Sequence, residues 1–90
     1  MRAHIIVSGL VQGVGFRYFI YRKAVELELR GFVRNLFNGD VEIVVEGEKD
    51  KIHILIEHAK IGPRSAFVKD VKVEWEEDKN EFTDFKIKGW

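Results

Sequence analysis

The 90-residue sequence predicts an α+β fold, with one mainly antiparallel sheet carrying two helices on the same face. Three observations lead there. Strand-like and helix-like apolar periodicities alternate in the order β-α-β-β-α-β, with a short strand added at the end. Asn38-Gly39 separates two strand-like runs, as at a hairpin turn that needs positive φ. Gly62-Pro63 stops the second helical stretch.

The elements follow in chain order. Ala3 to Gly9, rich in Ile5, Ile6 and Val7, suits a strand buried on both faces near the sheet centre. Three glycines between Gly9 and Gly15 then make a loop. After it, Phe16, Phe19, Ile20, Lys23 or Ala24, and Leu27 follow one helical face. Arg30 to Phe37 and Val41 to Glu46 are expected to pair through a two-residue turn at Asn38-Gly39. Asp50 is the expected cap of a helix whose Ile52, Leu55, Ile56 and Ala59 share a face. Val71, Val73 and Trp75 alternate with charges, as do Phe85 and Ile87. These give a fourth strand and a short fifth one that reads as a lysine-protected edge. The order is the split β-α-β, or ferredoxin-like, sandwich: four strands plus the short fifth, with two helices on one face.

Composition narrows the function. A chain this short closes one core, so residues 1–90 are expected to form one domain. With 46% hydrophobic and 33% charged residues, it can fold without a partner, and a monomer is the default expectation. The absence of cysteine excludes a disulfide framework, a thiolate nucleophile and a cysteine zinc site. No apolar run approaches the roughly 20 residues that span a bilayer, and no signal-peptide pattern follows Met1, which predicts a cytoplasmic protein without a membrane partner. Fifteen basic residues balance fifteen acidic ones, so no global field recruits nucleic acid. Abundant Glu, Lys, Ile and Val with few Asn and Gln lean towards a thermophile-like composition.

Chemistry is expected where the first strand meets the first helix. In Val11-Gln12-Gly13-Val14-Gly15-Phe16-Arg17, glycines let successive N–H groups turn inward and the helix N-terminus adds positive potential, a combination that holds phosphate. It is neither a Walker A loop, since no Gly-Lys-Ser/Thr follows, nor a dinucleotide fingerprint, since Tyr18 replaces the last glycine. Helices favour acids in their first turn, yet none occurs from Ala3 through Val25 and Arg17 stands there instead. A local rule broken in this way points to a compensating anion. Asn35 is the second oddity, an Asn in a strand on the face of Val33 and Phe37, where it is disfavoured; turn chemistry near Asn38-Gly39 is the alternative reading.

Other side chains read as structural. His53 and His58 are five apart and His4 is remote, so neither a metal nor any other cofactor is expected. Glu42, Glu46, Glu48, Asp50, Glu74, Glu76, Glu77 and Asp78 read as solvated strand and loop charges, and Phe16 and Phe19 as core.

The stretch Gly9-Leu10-Val11-Gln12-Gly13-Val14-Gly15-Phe16-Arg17 resembles the phosphate-binding signature of the acylphosphatase family. Gly31 to Val41 followed by Gly47, and Gly62-Pro63-Arg64-Ser65-Ala66 leading into Val71, are similar to later segments of that family. The resemblance spans essentially the whole chain. It implies a ferredoxin-like sandwich that hydrolyses small acyl phosphates without a metal. In it, the amides of Val11, Gln12, Gly13, Val14, Gly15 and Phe16 bind phosphate with Arg17, and Asn35 orients water. A carboxylate leaving group, with an ordinary pKa of about 4, departs without a general acid. Activity is therefore expected to survive chelator and to vary little around neutral pH.

Two rival functions remain at this level. Arg30 to Phe37 partly echoes the RNP1 strand of RNA-binding modules, but Val33, Arg34 and Asn35 depart from it and the charge is neutral. A non-catalytic acyl- or carbamoyl-phosphate-binding regulatory domain would share the phosphate loop. Retention of both Arg17 and Asn35, in a chain ending at Trp90, favours catalysis.

Overall fold

The computed structural model describes residues 1–89. The strands are β1 (Arg2–Leu10), β2 (Arg30–Asn35), β3 (Val41–Glu46), β4 (Phe67–Glu76) and β5 (Phe85–Lys88), and the helices are α1 (Phe16–Glu26) and α2 (Lys49–Ile61). The sheet order is β4-β1-β3-β2-β5. The β1–β3, β1–β4 and β2–β3 ladders are antiparallel, and β5 joins β2 in parallel. This is the expected ferredoxin-like α+β arrangement, with a parallel pair at one edge.

Period-two patterning decides which face is covered. Ile5 lies opposite Ile43 and Val73, and Val33 lies opposite Ile43. These rows meet Phe16, Ile20 and Ala24 of α1 and Ile52, Leu55 and Ala59 of α2 in one buried cluster. Truncating a core member such as Ile43 or Leu55 to Ala should cost about 2–5 kcal/mol. The next row contains Val7, Val41 and Asn35, so the same alternation that buries Val33 carries Asn35 into the covered face.

Several expectations are corrected. β1 is buried on one face only: Ala3, Ile5 and Val7 are buried, while His4 and Ile6 are half-exposed, because both helices lie on the other side. β4 is longer than the alternating Val71–Trp75 core of the pattern, since Phe67 and Val68 pair with Leu10 and Gly9 beyond a register shift at Ser8/Gly9. Asp50 sits in the first turn of α2 and not at its cap; Glu48 holds the N-cap position without a side-chain capping bond, and an acid inside the first turn still suits the helix dipole.

The β2–β3 connection is also longer than a two-residue turn. Pairing ends at Asn35 and Val41, and residues 36–40 form the turn. Leu36 N–H donates to Asp40 O at 2.8 Å and Gly39 N–H to Leu36 O at 3.2 Å. Asn38 Oδ1 accepts from Asp40 N–H at 3.0 Å, which favours the longer loop. Phe37 lies in that turn, 92% exposed, and so shares no face with Asn35.

Glu46 is the largest departure, being fully buried. The connection between β4 and β5 runs across the helix-free face and closes over it, with Phe82 against Phe32 (5.8 Å between ring centroids). Glu42 is partly buried on that face too, bonded to His4 Nε2 at 2.7 Å and ion-paired with Arg34. Among the described residues, no helix is long and apolar enough to cross a membrane.

Candidate active site

The turn from β1 into α1 is built by two left-handed residues, Gly13 at φ 74° and Gly15 at φ 78°, a conformation that costs any residue with a Cβ. Gly15 is the N-cap of α1, and the first turn holds no acid. The helix bonds begin with Phe19 N–H donating to Gly15 O at 3.0 Å. The N–H groups of Phe16, Arg17 and Tyr18 therefore have no acceptor within the helix, and they carry its positive end.

A cavity of about 200 Å³ opens at this helix end, lined by Val11, Gly13, Gly15, Phe16, Arg17, Tyr18, Asn35 and Ile87. Arg17 enters from the first turn of α1. Its Nη1 donates to the main-chain oxygen of Lys88 at 2.9 Å, which leaves the guanidinium with further donors. Asn35 enters from the end of β2 and is 8% exposed. Its Oδ1 is buried without a hydrogen-bond partner among the described residues. An acceptor without a protein partner at a cavity wall is available to a water or ligand that enters there.

Of the residues singled out in the sequence, Val11, Gly13, Gly15, Phe16, Arg17 and Asn35 meet at this cavity. Gln12 and Val14 do not line it. The Gln12 side-chain amide reaches the β2–β3 turn, where Nε2 donates to Leu36 O at 2.7 Å and Asp40 O at 2.8 Å. Val14 faces a neighbouring cleft of about 430 Å³ that also contains Tyr18, Phe19 and Arg22. Tyr18, Ile87 and the Lys88 carbonyl were missed. Tyr18 and Ile87 obey ordinary helix and strand patterns, and a main-chain oxygen leaves no mark in a sequence.

The three histidines go to separate places. His4 bonds Glu42, His53 lies against Trp75 with ring centroids 4.8 Å apart, and His58 meets Phe19 edge-on. Among the described residues, no three His, Cys, Asp or Glu side chains gather into a metal-binding group. The cavity thus offers a guanidinium, a helix N-terminus and a carboxamide, which together suit an oxyanion and a water beside it.

Comparison with known proteins agrees with this geometry. The acylphosphatase family profile matches residues 3–87. An acylphosphatase from Moorella thermoacetica is 50% identical over 89 residues, covering 99% of this chain and 95% of that one. The crystal structure of acylphosphatase from Bacillus subtilis superposes with a TM-score of 0.92 at 37% identity, covering 96% of each chain. The HypF structure from T. kodakarensis gives a TM-score of 0.83 at 39% identity, covering 98% of this chain but 12% of that one. A match over nearly all of both chains, at half identity and with a common fold, means that the chain belongs to the acylphosphatase family.

Proposed function

We propose that the chain hydrolyses the carboxyl–phosphate bond of small acyl phosphates in the cavity between Arg17 and Asn35. The phosphoryl group sits at the α1 N-terminus, where N–H groups and the Arg17 guanidinium neutralise its non-bridging oxygens. Water attacks phosphorus from the Asn35 side as the bond to the acyl oxygen breaks, and a carboxylate and inorganic phosphate leave. The carboxamide can both accept from and donate to that water, so it fixes direction without removing a proton. The carboxylate is stable as an anion at neutral pH, so no acid need protonate it.

One observation carries this reading: Arg17 and Asn35, from different elements, line one cavity at the positive end of α1. A second reading, in which an acyl or carbamoyl phosphate is captured without turnover, would use the same cradle. Hydrolysis of benzoyl phosphate with excess chelator separates the two. The parent is expected to turn over, and Arg17→Ala and Asn35→Ala each to lose on the order of 10² to 10³ in rate. Turnover retained in both variants would contradict the assignment, and phosphate binding without turnover in the parent would establish the capture reading.

A further inference from the structure

Arg17 is held from outside its own helix, by the Lys88 main-chain oxygen. Lys88 is the last residue of β5, a four-residue strand paired on one side only, to β2. So short an edge strand is weakly held by its own ladder. It is reached from β4, at the opposite edge of the sheet, by residues 77–84, which lack regular structure. What fixes that crossing segment fixes the Lys88 carbonyl.

The segment is fastened to Glu46. The buried carboxylate accepts main-chain N–H groups from Lys79 at 3.2 Å, Glu81 at 3.1 Å and Phe82 at 3.4 Å. Arg2, with a side chain 11% exposed, clamps the assembly by donating to Glu46 at 2.9 Å, to Glu81 at 2.8 Å and to Glu76 at 3.0 Å. Asp84 O then accepts from Gly31 N–H at 2.9 Å, which sets the register in which β5 begins. A buried carboxyl satisfied by several main-chain donors belongs to one loop conformation, because any other leaves it unpaired.

We infer that Glu46 is a positioning residue for Arg17, acting through residues 79–82 and β5 from the end of the sheet away from the cavity. The guanidinium is thereby set towards the phosphoryl group before substrate arrives, and binding need not order it. The inference rests on the reading of Arg17 as the phosphate-binding cation.

The test is Glu46→Gln, which keeps the shape but places an NH₂ against donors. Two measurements are made in the full chain: the ¹⁵N order parameter of the Arg17 Nε–H group, and affinity for inorganic phosphate with and without Arg17→Ala. Arg17 should lose order, and phosphate affinity should fall about five- to tenfold when Arg17 is present and by nothing further in the Arg17→Ala background. Should Glu46→Gln not fold, Arg2→Met removes the clamp on the same carboxylate and is expected to move both readouts in the same direction. An unchanged Arg17 order in the folded variant overturns the inference by itself. So does an equal affinity loss without Arg17, since that would be general loosening. Arg17→Ala binding phosphate as tightly as the parent would instead sink the underlying reading of Arg17.

Discussion

Arg17 and Asn35 reach one cavity from two elements, α1 and β2, Arg17 with a hydrogen bond to Lys88 O and Asn35 with an amide oxygen that has none among the described residues. The pairing of a held cation with an unsatisfied carboxamide separates what these groups do for stability from what they do for a ligand.

For Asn35→Ala, no protein hydrogen bond to Oδ1 among the described residues is lost, so the stability cost is mainly that of lost packing. Stability to denaturant is expected to stay within about 1 kcal/mol of the parent while the hydrolysis rate collapses. Denaturant unfolding of the variant beside its activity checks this. A loss of stability well above that figure would mean that Asn35 serves the fold.

Gln12→Ala removes two hydrogen bonds to main-chain oxygens, each worth about 0.5–1.5 kcal/mol net. The end of β2 is then expected to drift relative to the loop at 11–15, which disturbs Asn35 more than Arg17. A fall in kcat of about tenfold, with phosphate affinity nearly unchanged, is the expected split in steady-state kinetics and phosphate titration.

Gly15→Ala tests backbone conformation in isolation. A Cβ built there meets nothing within 4 Å, yet φ is +78°. The cost is therefore conformational, about 1–2 kcal/mol, and any relaxation turns the helix-end N–H groups away from the cavity. Weaker phosphate binding in a folded variant is the expected titration result; parental affinity would show that these groups do not contact the anion.

Glu42 supplies a pH dependence remote from the cavity. Burial of its carboxyl pushes the pKa up, but hydrogen bonds from His4 and Arg34 outweigh that and hold it below the ordinary value. The folded pKa is depressed, so the stabilisation is present above the unfolded glutamate value of about 4.3. It is lost as pH falls through the folded one. Glu42→Gln should therefore unfold more easily than the parent at about pH 7 and match it in strong acid, with activity at neutral pH unchanged. Denaturation midpoints at the two pH values decide.

Periodicity revealed the elements because alternation and the 3.6-residue repeat report burial directly, as Ile5, Ile43 and Leu55 demonstrate. Arg17 and Asn35 stood out because each breaks a local rule, one of helix charge and one of strand propensity. Glu46 could not be read correctly, for a polar residue closing an alternating strand looks solvated until a segment from elsewhere in the chain crosses over it. The length of the turn at 36–40 is illegible in the sequence for a related reason. Asn-Gly specifies reversal, whereas the loop length depends on the Asn38 side chain and on Gln12, a residue distant in sequence.

The Gln12 tether has a consequence for how this protein can vary. Its amide grips oxygens of the main chain, which every amino acid possesses, so the tether itself places no demand on the side chains of Leu36 and Asp40. It does constrain the count of residues, because one insertion between Leu36 and Asp40 would pull the two oxygens out of a single amide's reach. In a library built on this scaffold, the length of this turn is the property to hold constant.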